Sequence, residues 1–228
     1  MTASTFRDLT LKSGSSVRKF GYWSALGSTV FSVGFAAAAI GSSLVPLPSW
    51  NGIESFAEAF RTLHVLPGAF ALLLIPAFVI LTATIYHTSA EDRRLFGMLG
   101  LVFSLVYASL VGANYAIQLV VLRPNLLRGE TEGMALFALT NPYSVFWGLE
   151  LIGYGFMMLS LISAAFVFDR SGLEGWVRKI FLVNGMVNIL ATVAYTIFLD
   201  PIIVFISLPF WSVLFPISTG MLVAVFRE

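Results

Sequence analysis

Glu150 is the one acidic residue that lies well inside a long apolar stretch of the sequence. A charged side chain in the middle of a membrane helix costs about 2.5–3.5 kcal/mol on insertion scales, so this residue should face the interior of a helical bundle. There its carboxyl group would be protonated, hydrogen-bonded or in contact with water. Intramembrane carboxyl groups usually serve a function, such as the exchange of protons or the binding of a ligand. The alternative is a shallow glutamate whose side chain reaches the outer membrane surface.

Polar and aromatic residues on three predicted spans repeat at helical spacing around this carboxyl group. Trp147 lies three residues before Glu150 and Tyr154 four residues after it, on the same helix face. The spans before and after this one carry two further polar stripes of the same period. We expect these side chains to converge in the outer half of the bundle as a ligand-binding pocket. The candidate residues are Glu150, Asn114, Gln118, Tyr154, Trp147, Asn188, Tyr195 and Tyr107.

The depth of these residues agrees with a single pocket. At 1.5 Å per residue, Glu150 lies about 9 Å and Asn114 about 12 Å from the outer ends of their spans. Asn, Gln and Tyr side chains in membrane helices often only bond a neighbouring helix, with about 0.6 kcal/mol for each bond. The two stripes that contain Asn and Gln therefore have a second interpretation, as bonds between helices rather than as the lining of a site.

Several kinds of active site are excluded by what the sequence lacks. It contains no cysteine, and none of its lysines falls inside an apolar stretch, where a retinal Schiff base would need one. His64 and His87 fall at opposite membrane edges and cannot share a haem iron. No motif of a zinc peptidase, a serine hydrolase or a P-loop ATPase is present. The sequence therefore predicts no catalytic residue, no metal site and no cofactor, and the net charge of +1 argues against nucleic acid as a partner.

The composition indicates which environment must hold these residues. Of the 228 residues, 58% are hydrophobic and only 11% are charged, and the mean hydropathy is +0.89. A soluble domain is usually about half apolar and a quarter charged. The apolar residues also come in blocks of about the 20 residues that cross roughly 30 Å of hydrocarbon as a helix. The sequence therefore predicts an all-α, polytopic transmembrane helical bundle in the lipid bilayer of a cell membrane.

Six apolar blocks predict one transmembrane domain, 20–228, behind a polar cytoplasmic tail, 1–19. An amphipathic segment, 52–64, is predicted to lie on the outer membrane surface as a short helix. A polar outer loop, 123–143, is expected to be a solvated connector or a lid over the pocket. The predicted spans are 20–47, 66–86, 95–122, 144–168, 180–199 and 202–226.

The distribution of basic residues predicts the orientation of the chain. Ten Lys and Arg residues fall on the side that holds both termini and three fall on the other side. Because short cytoplasmic loops carry the excess of basic residues, both termini are predicted to be cytoplasmic. A secretory signal peptide cleaved near 36–39 is the alternative for the first block. The long polar leader and the length of the apolar block favour a retained span.

Glycine and proline suggest two local features. The stretch GLELIGYG supplies Gly148, Gly153 and Gly155, which predict close packing of the fourth span against a neighbour. Pro76 lies inside the second span and is expected to break it.

Two strings resemble a group of uncharacterised bacterial multi-pass membrane proteins. They are NYAIQLVVLRPNLLRGETEGMALF and NPYSVFWGLELIGYGFMMLSL, within 113–168. In that group a polar third span ends in an Arg-Pro-x-Leu-like turn, and a loop containing Glu-Gly leads into a span with an aromatic-x-x-Leu-Glu segment. The resemblance implies a multi-pass helical fold in a bacterial cytoplasmic membrane and draws attention to Glu150. It implies no mechanism.

Three functions fit these residues. The first is the binding or proton-coupled transport of a small polar or amphipathic molecule through an outward-facing pocket around Glu150. The second is a non-catalytic subunit, in a homo-oligomer or with a membrane protein partner, which the Gly/Ala-rich first span suggests. The third is an intramembrane enzyme that acts on a lipid or isoprenoid, with Glu150 as acid and base. A single carboxyl group without a clear partner makes an enzyme the least favoured of the three.

Overall fold

The computed structural model describes residues 6–200 and 202–227 and, within them, all side chains but those of Arg7, Lys12 and Phe205. It is 83% helical, and these ranges contain no strand, which confirms the predicted all-α class. A π-helical turn, Gln118–Leu122, joins the helix Arg94–Ile117 to the helix Arg123–Arg128 without a break. The helices are α1 (Phe6–Lys12), α2 (Ser15–Ser43), α3 (Ile53–Ala59), α4 (Leu66–Thr88), α5 (Arg94–Ile117), α6 (Arg123–Arg128), α7 (Val145–Ala165), α8 (Gly172–Phe198) and α9 (Ile202–Phe226).

Six helical segments are long and apolar enough to cross a membrane, namely α2, α4, the continuous α5–α6 segment, α7, α8 and α9. Large apolar side chains on these helices point outward without any protein contact to cover them, as a lipid-facing surface requires. The chain is therefore a multi-pass integral membrane protein. Examples of these exposed residues are Val30, Ile40, Leu73, Val102, Leu190 and Ile206.

The six spanning segments form a closed ring. Each packs against the next along the chain, in the order α2, α4, α5, α7, α8 and α9, and α9 packs against α2. Because the number of spans is even, α2 begins and α9 ends at the same end of the ring, called here the terminal end. The opposite end, called the loop end, holds the connections 44–65 and 129–144 and the residues 199–200. The excess of basic residues predicts that the terminal end faces the cytoplasm.

Aromatic side chains fill the middle of the ring. Trp211 of α9 is only 2% exposed and stacks on Phe215, with ring centroids 5.6 Å apart. Its edge contacts Phe35 of α2 at 5.3 Å and Tyr154 of α7 at 5.7 Å. Phe78 of α4 packs against Phe215 from another side, at 5.6 Å. These contacts join four of the six spans through one tryptophan and its neighbours.

The terminal end is closed by α1, which lies within the predicted polar tail. Phe6 is buried and packs against Phe168 and Phe226, at centroid distances of 4.9 and 6.0 Å. Nearby, Arg93 donates to the Asp169 carboxylate at 2.7 Å. The part of the predicted tail that the structure describes is therefore helical and contributes to the core, and α2 begins at Ser15, before the predicted start of the first span.

Helix ends differ most from the predicted spans where charges stand near the membrane edge. The helix α8 begins at Gly172, so Glu174 and Arg178, which fall between the predicted spans 144–168 and 180–199, lie on its first turns. These charged residues therefore indicate where the hydrocarbon layer of the membrane ends, and they do not indicate where the helix ends. The predicted break at Pro76 is wrong, because α4 runs through this residue.

The loop end carries a small cap, made of α3, α6 and the connection 129–144. Ile53, Phe56 and Phe60 are buried against Leu122 and Leu126. The amphipathic segment 52–64 therefore buries apolar residues on the protein, and its position at the outer membrane surface stays a prediction. The predicted loop 123–143 likewise begins as helix, since α6 continues the third span to Arg128.

Only one of the three predicted packing glycines stands at a close contact. A Cβ on Gly153 would lie 2.5 Å from Val111 Cγ2 and 3.4 Å from Leu110 Cβ, both on α5. No atom of another residue lies within 4 Å of the Cβ position at Gly148 or Gly155. Gly153 therefore allows α7 to approach α5, whereas the other two glycines do not serve this packing.

Gly153→Ala should lower the free energy of unfolding by about 1–3 kcal/mol, because Val111 is fully buried and cannot move away from the added methyl group. The matched change Gly155→Ala should be neutral or stabilise by up to about 1 kcal/mol, because alanine favours helix over glycine. Unfolding of both variants in mixed micelles with increasing SDS measures the difference. Equal stability of the two variants would contradict the packing assigned to Gly153.

Candidate functional site

A cavity of about 370 Å³ lies inside the ring at the loop end. This volume is near the lower limit of ordinary small-molecule pockets, roughly 300–1,000 Å³. All six spanning segments contribute to its wall, and the cap forms its roof through Phe56, Phe60 and Leu139. Most of the wall is apolar or aromatic. The polar residues that line it are Ser42, His64, Tyr115, Gln118, Thr140, Glu150, Tyr154, Asn188, Thr192 and Ser207.

Glu150 reaches the cavity from the second turn of α7. The helix begins at an N-cap, Ser144, whose hydroxyl accepts from the Trp147 backbone N–H at 2.9 Å. The Glu150 carboxylate accepts two hydrogen bonds from α5, from Asn114 Nδ2 at 2.7 Å and from the Tyr115 hydroxyl at 2.5 Å. The side chain keeps some accessible surface, and this surface faces the cavity. The carboxylate is therefore held in a fixed orientation by two uncharged donors while it remains open to a ligand.

The two donors to Glu150 are positioned by close packing. Asn114 is fully buried and donates also to the Phe146 carbonyl of α7, at 3.2 Å. Tyr115 lies against Gly68 of α4, where a Cβ would come within 2.8 Å of the tyrosine ring. A larger residue than glycine would therefore push the Tyr115 ring and displace its hydroxyl from the carboxylate.

Two further tyrosines stand beside the carboxylate. Tyr154 lines the cavity one turn after Glu150, and its ring contacts that of Tyr107 edge to face, with centroids 5.6 Å apart. Both hydroxyls are buried, and neither makes a hydrogen bond within the described ranges. Both are close enough to Glu150 to interact with its charge. The described titratable side chains that stand beside the carboxylate, Tyr107, Tyr115 and Tyr154, are thus phenols, which are uncharged at neutral pH.

The α8 side of the cavity is formed by Trp147 and Asn188. Trp147 Nε1 donates to the Tyr195 hydroxyl at 2.8 Å, which joins α7 to α8. Asn188 donates its amide hydrogens to the backbone carbonyl and the side-chain oxygen of Asn184, each at 2.9 Å. Tyr195 and Asn184 are buried behind the residues that they hold.

Gln118 connects the wall of the cavity to its roof. It opens the π-helical turn, a widened turn that often occurs at functional sites. In a regular α-helix, the ring of Pro124 would clash with the carbonyl of Val120, four residues earlier. The π-helical turn places Val120 in a wider part of the helix. The Gln118 amide donates to the Phe137 carbonyl at 2.6 Å and accepts from the Leu139 N–H at 3.4 Å. The side chain thereby fixes the connection 129–144 over the cavity.

Gln118→Ala should raise hydrogen exchange in 134–141 by about 30-fold, since each of the two lost bonds contributes about 1 kcal/mol. Hydrogen–deuterium exchange by mass spectrometry measures the change. The matched control is Asn125→Ala, because the Asn125 side chain bonds only the Val121 carbonyl of its own helical segment. Unchanged exchange in the Gln118 variant would contradict the role of this residue in holding the roof.

The eight predicted pocket residues fall into two layers. Five line the cavity, namely Glu150, Gln118, Tyr154, Trp147 and Asn188. Three stand behind them and do not line it, namely Asn114 behind Glu150, Tyr195 behind Trp147, and Tyr107 behind Tyr154. Asn114 thus fits both interpretations of its stripe, since it bonds α5 to α7 and orients the carboxylate.

Sequence reasoning missed six polar residues of the cavity, among them Tyr115 and His64. Tyr115 lies three residues before Gln118 and so shares a helix face with it, which is a signal that the sequence contained. His64 stands at the loop end, where its Nε2 donates to the Val45 carbonyl and its Nδ1 accepts from the Arg61 N–H, at 2.8 and 2.9 Å. Its place depends on the cap, which the sequence did not predict.

The cavity holds a single carboxylate and no basic counterpart from the described ranges. No lysine or arginine of these ranges lines it, and His64 is the one imidazole in its wall. Among the same residues, no group of three or more His, Asp or Glu side chains is placed to hold a metal ion. The arrangement can therefore bind a proton or an organic group at Glu150. Comparison of the chain with protein-family models, curated proteins and solved structures found no match.

Proposed function

We propose that the protein binds a small amphipathic molecule in this cavity and that Glu150 exchanges a proton as the molecule binds and leaves. One observation carries the proposal: a carboxylate faces an apolar, aromatic cavity, and only the uncharged groups of Asn114 and Tyr115 compensate it. An uncompensated charge in such surroundings is costly. Either a proton or a ligand group must therefore neutralise the carboxylate when the site is closed.

A purely structural role explains the arrangement less well. Asn114 already joins α5 to α7 through the Phe146 carbonyl, and an uncharged residue in place of Glu150 would accept or donate there without a desolvation cost. A structural residue also needs no accessible surface, whereas the Glu150 side chain keeps some toward the cavity. The space above it has the size and the apolar wall of an ordinary ligand pocket.

The same site suits proton-coupled transport. The cavity lies at the loop end, which the basic residues predict to be outside, while aromatic packing around Trp211 and Phe6 closes the path below it. A transporter binds its substrate near the middle of the membrane and opens to one side at a time. Protonation of Glu150 would then accompany the step in which the transporter, without substrate, turns its binding site back to the first side of the membrane.

Native mass spectrometry of the mildly solubilised protein tests the proposal. We expect a small-molecule adduct on the wild-type protein that is lost in Glu150→Gln, since the amide keeps the shape of the side chain but cannot carry the charge. Glu58→Gln is the matched control, because Glu58 is an exposed glutamate of α3 outside the cavity. The yield and thermal stability of all three proteins should be similar.

Two outcomes would contradict the proposal. An adduct that survives in Glu150→Gln would separate the ligand from the carboxylate. A bare protein, or one that carries only another protein chain, would instead favour a non-catalytic subunit in which Glu150 serves packing alone.

A further inference from the structure

We propose that the ligand is an organic cation with an apolar body, most simply a hydrophobic amine in its protonated form. This inference rests on the proposed function and names the class of molecule that the same site would take. Three features of the cavity wall support it: the hydrogen-bond acceptors that remain free, the negative charge of Glu150 and the aromatic side chains.

Three hydroxyl groups of the wall present acceptors rather than donors. The hydroxyl of Thr192 donates to the Asn188 carbonyl and that of Ser207 to the Val204 carbonyl, at 2.9 and 2.8 Å. A hydroxyl has one hydrogen, so each of these groups can only accept from a ligand. Ser42 is occupied in the same way by the Ala39 carbonyl, at 2.9 Å.

The amide of Asn188 follows the same pattern. Asn188 gives its amide hydrogens to Asn184, which leaves its own side-chain oxygen as the group that can meet a ligand. Both ring nitrogens of His64 are occupied, by the Val45 carbonyl and the Arg61 N–H, so the ring offers no free donor. A ligand that brings N–H donors therefore finds acceptors at several points of the wall.

The charge of the site selects the same class. Glu150 is the only carboxylate among the described residues that line the cavity, and its two partners, Asn114 and Tyr115, are neutral donors. At a few ångströms in surroundings of low dielectric constant, an anion would be repelled strongly by this carboxylate. A neutral ligand would leave the charge uncompensated. An ammonium group would neutralise it with a charge-assisted hydrogen bond.

Aromatic rings surround the place that such a cation would take. Trp147, Tyr154, Trp211 and Tyr115 all line the cavity together with Glu150. The electron-rich faces of such rings attract cations, and more strongly where water is excluded. The aliphatic wall, which includes Leu119 and Leu151, suits the apolar body of the ligand.

Three molecules that share one apolar body test this inference: adamantan-1-amine, adamantan-1-ol and adamantane-1-carboxylate. Binding is measured by calorimetry at neutral pH with the protein in lipid nanodiscs. We expect the amine to bind about tenfold to 100-fold more tightly than the alcohol, as a charged hydrogen bond contributes about 1.5–3 kcal/mol. The carboxylate should bind least. Glu150→Gln should remove the preference for the amine over the alcohol, whereas Glu58→Gln should behave as the wild type.

The outcomes distinguish the ligand class from the proposed function. Equal or tighter binding of the alcohol or the carboxylate, or no binding of any of the three, would overturn the assignment of a cation. If native mass spectrometry still gave an adduct that depends on Glu150, the proposed function would stand with a ligand of another class. If the adduct were missing as well, both proposals would fail.

Discussion

Acidification should release a bound hydrophobic amine from the wild-type protein, with affinity falling by up to about tenfold for each pH unit once Glu150 takes up a proton. The amine stays protonated between pH 5 and pH 8, because aliphatic amines titrate near pH 10. The carboxylate alone therefore changes charge, and its protonated form no longer attracts the ammonium group. The affinity for the amine is therefore highest at pH values where Glu150 is deprotonated, and it is lost as the pH falls and Glu150 becomes protonated. Calorimetric titrations between pH 5 and pH 8 measure the profile.

The other titratable groups around the site define the controls. Tyr107, Tyr115 and Tyr154 are phenols and keep their protons throughout this range. His64 at the roof also lines the cavity, and a positive charge on its ring would weaken the binding of a cation in the same direction. His64→Gln should therefore keep most of the pH dependence, whereas Glu150→Gln should abolish it. A profile that depends on His64 and not on Glu150 would contradict the account.

Trp211→Ala should lower the free energy of unfolding by about 3–5 kcal/mol, the largest loss expected from a single truncation in this molecule. The side chain is buried in the middle of the ring, and its removal would leave a void among Phe35, Tyr154 and Phe215. The surrounding helices cannot collapse into this space without separating elsewhere. Unfolding by SDS in mixed micelles, followed by the fluorescence of the remaining tryptophans, measures the loss.

Trp23→Ala is the matched control for this prediction. Trp23 is 65% exposed on the outer face of α2, so its truncation should change the free energy of unfolding by no more than about 0.5 kcal/mol. If the two variants lost similar stability, the aromatic packing in the middle of the ring would not be what holds the six helices together.

The spans and the central carboxylate were predictable because they depend on short-range pattern. A block of about 20 apolar residues has few alternatives to a membrane helix. A lone carboxyl group within such a block has to point inward. Helical spacing also placed Trp147 and Tyr154 on the face of Glu150, and both line the cavity with it. The sequence thus predicted which residues of one helix act together.

The arrangement of the helices relative to one another was less predictable. The spacing of residues along one helix does not determine how that helix is rotated about its axis relative to its neighbours. Asn114 and Gln118 lie four residues apart and were predicted to share one role. In the structure Asn114 points to Glu150, whereas Gln118 opens the π-helical turn and bonds the roof. A π turn takes an extra residue and rotates all that follows, and no periodic pattern announces it.

The loop end was the least predictable part of the fold. The burial of Ile53 and Phe56 depends on contacts with α6, which is some 65 residues away along the chain. The amphipathic pattern of this segment fits a membrane surface and a protein surface equally well. The cap therefore became visible only with the tertiary structure, and with it the roof of the cavity and the place of His64.

The most direct test of the central claim is to measure the protons released when the amine binds, in weakly buffered solution and over a range of pH. The account predicts release of up to about one proton for each amine bound at pH values where Glu150 is protonated, falling to none at higher pH. The Glu150→Gln protein should release none at any pH. Binding of the amine without proton release throughout the range, or equal release by the Glu150→Gln protein, would contradict the claim that Glu150 exchanges its proton for a ligand.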